Sequence, residues 1–221
     1  MKNIWGKKPK RKFKVVRKKP NHKAIRLAIE KPSEQLHLLM GLPVTSFRDT
    51  QRFEAFIVNA LLGGGMTSKL YQSVREKRGL VYSIYSSLNT FMDYGMINVY
   101  ASCEKKNMKS VYNNIMAELQ KIRKKKISEH DLEMYKTQVK GAILLGADDI
   151  DNRMTSIGVN EMVFEKYKPV EAIIEEIDAV SAKSVNEYVQ KYFDLNHLGA
   201  VLIGGGAKEL EPWFLSETGK K

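Results

Sequence analysis

At 221 residues and 43% hydrophobic side chains, the chain suits a domain of about 150–200 residues with tails and can bury a real core. One cysteine, Cys103, excludes an intrachain disulfide and a multi-cysteine zinc site, which makes a reducing, cytoplasmic compartment the expectation. The net charge of +12 points away from a nucleic-acid-binding body once it is located. Residues 1–23 hold eleven Lys or Arg and no acid, whereas 24–221 hold 26 basic and 25 acidic residues.

Residues 1–23 carry Pro9 and Pro20 without helical period and read as a basic flexible linker or tail. Their KKPKRK run also matches a nuclear-localisation or phosphate-binding patch. Ala24 to Ile29 alternates apolar and charged residues, as an edge strand does, and Pro32 ends it. Gln35 to Leu42 is a second strand. Asp49 or Thr50 is placed to cap a helix with apolar positions Phe53, Phe56, Ile57, Ala60 and Leu61.

That helix breaks at Gly63, Gly64 and Gly65. Glycine supplies positive φ and close backbone approach, so the triplet predicts a tight helix-to-helix corner. A short amphipathic helix carrying Leu70 and Val74 follows, then a turn at Arg78-Gly79 and a strand from Leu80 to Leu88. Phe91 to Gly95 forms a turn, and Met96 to Cys103 pairs back as a hairpin partner. Lys106 to Lys125 is a long amphipathic helix with a basic last turn that complements its dipole.

Ser128 caps the next helix, with Asp131 three residues on. Asp148 to Tyr167 and Pro169 to Asp178 read as helices, and Ser181 caps one more. Leu198 to Ile203 is a buried last strand, and the end, 207–221, reads as a loose tail. Strands in pairs and helices in runs imply an α+β fold: one mostly antiparallel sheet over 24–206 with helices packed on one face. No apolar run approaches the ~18 residues of a membrane span, and no signal-peptide core opens the chain.

Candidate chemistry is sparse. His22, His37, His130 and His197 include no i,i+4 helical pair, so no metal site is expected. Glu129-His130 supplies the end of an HxxEH motif, but Lys126 stands where its first histidine belongs. GGGMTSK lacks the glycine that a Walker loop places before its lysine, and it follows a helix. Arg75 and Tyr82 remain. A guanidinium and a phenol at a helix–strand corner can donate hydrogen bonds to a peptide carbonyl or its oxyanion. They also read as a surface ion-pair partner and a half-buried strand residue.

The stretch ALLGGGMTSKLYQSVREKRGLVYSIYSS, from Ala60 to Ser87, resembles the C-terminal, non-zinc half of pitrilysin/insulysin-type zinc metallopeptidases, in the branch of mitochondrial processing peptidase. The similarity runs from EQLHLLMGLP at Glu34 to VQKYFDLNHLGAVLIGG near Gly205, and the block Leu62 to Tyr82 carries it best. It implies a half-domain that closes with an HxxEH-bearing, zinc-holding half over an unfolded peptide. The positions Arg75 and Tyr82 match the arginine and tyrosine that contact the substrate backbone in that family. The glycine corner at Gly63, Gly64 and Gly65 coincides with a substrate-facing loop that is longer in the processing peptidase's non-catalytic subunit.

The resemblance thus implies a substrate-binding half with no cofactor of its own, inactive until zinc arrives in a partner half from another chain or an upstream segment. The basic start then takes the place of the inter-half linker. An apolar face meant for the partner half makes a homo-oligomer a further expectation. Two other readings stand beside this one. A structural or assembly subunit of the same family needs neither Arg75 nor Tyr82. A nucleic-acid binder working through residues 2–23 requires steep salt dependence.

Overall fold

A computed structural model describes residues 20–219, so the basic segment read at 1–23 lies outside the described residues as far as residue 19. Five strands form one sheet: β1 (Arg26–Glu30), β2 (Leu36–Val44), β3 (Ser83–Thr90), β4 (Gly95–Cys103) and β5 (Gly199–Gly204). Their spatial order is β1-β5-β2-β4-β3, and every pairing is antiparallel except β1 with β5. The α+β fold with a mostly antiparallel sheet is therefore borne out. β1 and β2 are not a hairpin, however; the last strand of the chain lies between them.

Alternation fixes which face is covered. Leu36, Leu38, Met40, Leu42 and Val44 of β2 are buried. Leu38 lies opposite Ala101 on one side and Leu202 on the other. A one-residue slip would expose this whole row, so the register is strongly specified. Complete burial of Leu36, Leu38 or Leu202 contributes about 2 kcal/mol each. The opposite face is open. Across all five strands it carries the row Leu27, Val201, Leu39, Tyr100 and Tyr85.

The helices are α1 (Arg52–Leu62), α2 (Met108–Lys124), α3 (Glu129–Ala147), α4 (Ile150–Phe164), α5 (Val170–Asp178), α6 (Ala182–Tyr192) and α7 (Ala207–Gly219). α1, α2 and α6 pack against β3, β4 and β2, and α3 and α5 extend that layer outward. Fully buried Tyr135, Tyr188, Phe193 and Phe214 fill the space between. Ser128 and Ser181 cap as read: Ser128 Oγ accepts from Asp131 N at 3.1 Å, and Ser181 and Ser184 form a reciprocal box. Each cap contributes about 1 kcal/mol. Asp49 instead accepts from Gln51 N in a local turn, and α1 starts without a side-chain cap.

The loose end expected at 207–221 is corrected. Residues 207–219 form α7, whose Ala207, Leu210 and Phe214 are buried, with the Phe214 and Trp213 rings against Tyr112. Glu30 of β1 fastens its start, accepting from Gly206 N and Lys208 N at 2.8 Å each. A carboxylate there satisfies orphan donors and complements the helix dipole.

Candidate functional site

The corner after α1 is built by close approach. A Cβ on Gly63 would lie 2.4 Å from Ser86 N, and on Gly64 2.9 Å from the Ala60 Cα. Gly63 O accepts from Ser86 N, while Gly63 N and Gly64 N both donate to Asn59 O. The expectation of positive φ at these glycines is wrong; that conformation falls at Gly79, φ 60°, where the chain turns toward β3. Gly63 is buried with both backbone groups paired, so its role is packing. Gly64 is exposed, and Gly65 approaches the Gln138 side chain.

Residues Tyr71–Glu76 form a π-helical turn in place of the expected α-helix, anchored by buried Leu70 and Val74. π-turns widen the helix and commonly occur at functional positions. Arg75 projects from this turn into solvent with its guanidinium 5.2 Å from the Tyr71 ring centroid. Beyond Gly79, Tyr82 donates its backbone N–H to Ser102 O and leaves its side chain 53% exposed.

Arg75 and Tyr82 take different partners. The Tyr82 hydroxyl donates to Glu104 Oε1 at 3.1 Å, and Lys106 pairs with the same carboxylate at 2.6 Å. That bond to Glu104 and its negative charge push the phenol's pKa up. Hydrogen bonds from Lys106 and Tyr82 hold the Glu104 carboxyl below its usual range. Tyr82 is thus a neutral, protonated donor. Glu104 and Lys106 escaped sequence reasoning because only strand register places Tyr82 beside the end of β4.

Of the four histidines only His22 and His197 meet, with His22 Nε2 2.7 Å from the His197 backbone oxygen and the rings edge-on at 6.3 Å. His22 contacts Tyr94 Oη at 3.2 Å, His37 contacts Tyr100 Oη at 2.7 Å, His197 lies 3.7 Å from Asp194, and His130 is exposed at the start of α3. Among the described residues no group of three or more His, Cys, Asp or Glu is placed to hold a metal. Lys69 of the Walker-like stretch pairs with Asp131 at 3.7 Å. Cys103 is buried, and desolvation together with the Glu104 charge pushes its thiol up to about 12, which leaves it unreactive.

The sheet is thus covered by helices on one face and carries Arg75 and Tyr82 exposed on the corner ahead of β3. Residues 2–139 match the family described as the peptidase M16 inactive domain, and the chain belongs to that family. Over 188 residues it is 30% identical to an uncharacterized zinc protease, YmxG, of Bacillus subtilis, a match covering 85% of this chain and 46% of the relative. The fold matches the peptidase M16 inactive domain from Pseudomonas fluorescens with a TM-score of 0.75 at 19% identity, covering 85% of this chain and 45% of that one. It also matches a chain of complex III2 from Candida albicans, with a TM-score of 0.75 at 16% identity over 90% of this chain and 49% of that one. The chain spans less than half the length of these relatives.

Proposed function

We propose that this chain is the substrate-binding, non-catalytic half of a zinc metalloendopeptidase acting on unfolded peptides, working with an HxxEH-bearing half. The observation that carries this reading is the exposed Arg75 guanidinium and Tyr82 phenol on a corner fixed by Gly63 against β3. Arg75 supplies a permanent cation to a peptide carbonyl. Tyr82, kept protonated beside Glu104, supplies a neutral donor that turns from Glu104 to the oxyanion as charge develops. The exposed backbone at Gly64 and its neighbour Gly65 lie toward the peptide, with Gly63 as their support. Zinc, and the water it activates, belong to the other half.

Within the family, the block Leu62–Tyr82 supports the processing-peptidase-like branch. The lone buried thiol of Cys103 supports a cytoplasmic setting. Among the described residues no helix is long and apolar enough to cross a membrane.

The test mixes the pure chain with an HxxEH-bearing homologous half and follows zinc-dependent cleavage of a quenched-fluorescent unfolded peptide. The pair is expected to cleave and the chain alone to be inert. Arg75→Ala and Tyr82→Phe are each expected to lower kcat/KM by about a hundredfold or more, with unchanged thermal unfolding. Cleavage by the chain alone, or full activity in both variants, overturns the reading. Tight pairing without cleavage favours the structural or assembly role, to which the likeness to a complex III2 chain lends support.

A further inference from the structure

On the helical layer, the α2–α3 connection and α6 enclose a cavity of about 180 Å³ that belongs to no part of the Arg75–Tyr82 corner. Its floor is apolar: Leu61, Ile122, Ile127, Val185 and Val189. Three of these are recessed, with Leu61, Val185 and Val189 at most 6% exposed. The rim is cationic, formed by Lys69, Lys121, Lys125 and Lys126. Ile127 N donates to Asn186 Oδ1 at 2.9 Å, which ties the connection to α6 and holds the cavity open in one shape.

The cations exceed what the fold uses. Glu118 and Asp131, the acids lining this cavity, already pair with Lys121 at 2.8 Å and Lys69 at 3.7 Å. The helix dipole accounts for Lys121, Arg123 and Lys124 in the last turn of α2. It does not account for Lys125 and Lys126, where the backbone has already left the helix. A shallower cleft of about 1000 Å³ adjoins, sharing Lys125, Lys126 and Asn186 and adding Lys124, Lys183 and Lys191 with one acid, Glu187, 4.0 Å from Lys183. Among the described residues, Lys124, Lys125 and Lys126 have no acidic partner. The body outside residues 1–23 is nearly neutral, so this concentration is local.

We propose that this paired cleft is a docking site for an acidic polypeptide segment with an apolar anchor residue. The anchor, a Leu or Phe side chain, enters the recessed cavity, and flanking Asp or Glu side chains pair with Lys124, Lys125 and Lys126. Buried apolar anchors set affinity while rim charges set partner choice and encounter rate. A nucleic acid would want exposed aromatic rings to stack on, and the two clefts are lined by none. A membrane would want apolar side chains that protrude, whereas these are recessed.

The experiment is fluorescence anisotropy with the full chain and a fluorescein-labelled Glu/Asp-rich peptide bearing a central Leu-Phe pair. Binding is expected, weakening as salt is raised. Replacing Leu-Phe by Gly-Gly in the peptide is expected to weaken it about tenfold, as is the double variant Lys125→Glu/Lys126→Glu. Both lysines are exposed, so thermal unfolding is expected to stay the same. Lys31→Glu/Lys166→Glu, an equal charge change at exposed positions elsewhere, is expected to leave binding intact. Equal binding of the anchorless peptide, or an equal loss in the control variant, overturns the proposal. So does preferential capture of a single-stranded oligonucleotide or of anionic phosphatidylglycerol vesicles.

Discussion

The glycine corner and the α3–α4 tip are both apolar-rich connections, and they are built in opposite ways. At the corner the backbone itself is packed: Gly63 lies against Ser86, and Leu62, Leu70 and Val74 are fully buried. At the tip, Leu145 is 77% and Ile150 83% exposed, and every residue of 150–158 in α4 is exposed. Leu144, Met154, Ile157 and Met162 add to the same exposed surface. The corner has spent its apolar groups on fixing two exposed polar side chains. The tip offers its apolar groups outward, as a surface made to be covered does.

Gly63→Ala should break the first half of this contrast most severely. The new Cβ meets backbone that cannot yield cheaply, so a loss of about 3 kcal/mol is expected in urea unfolding. Ser86→Ala is expected to cost about 1 kcal/mol, because the buried hydroxyl donates to the Asn59 Oδ1 at 2.8 Å and to its backbone oxygen.

Between the extremes lies α7, held at its start by one carboxylate. The backbone N–H of Lys208, then that of Gly206, depress the Glu30 pKa, with Lys105 and Lys208 adding positive charge nearby. A depressed folded pKa means the contribution is present above the ordinary glutamate range and is lost as pH falls through the folded value. Hydrogen exchange should show α7 amides losing protection on acidification before those of α1, and Glu30→Gln should flatten that difference. At the tip, Leu145→Asp/Ile150→Asp should change stability by no more than about 0.5 kcal/mol. Sedimentation should instead show reduced self-association. A large stability loss there would mean that the tip is packed after all.

Local chemistry was legible in the sequence, and long-range pairing was not. Ser128 and Ser181 announced α3 and α6 because a cap acts on residues within one turn of itself. β2 and β4 were legible as strands, and the order of strands and helices implied a sheet covered on one face. The insertion of β5 between β1 and β2 had no local signal, since it pairs residues some 160 positions apart in sequence, such as His37 with Ile203. α7 was read as a loose tail, although Ala207, Leu210 and Phe214 recur at helical spacing. At the site, Arg75 and Tyr82 were singled out by residue type and position and matched to a role by resemblance, while the π-turn beneath one and Glu104 beside the other had no local signal.

The position of β5 also governs the order in which a ribosome can deliver this fold. β2, β4 and β3 become available early, and their hydrogen bonds join neighbours already synthesised. β1 precedes them in sequence, yet among the described residues its partner is β5, which follows all of them. β1 must therefore wait for its partner until β5 has left the exit tunnel. Such non-local closure is slow, and it leaves the Leu36–Val44 edge open to rival strands until β5 arrives.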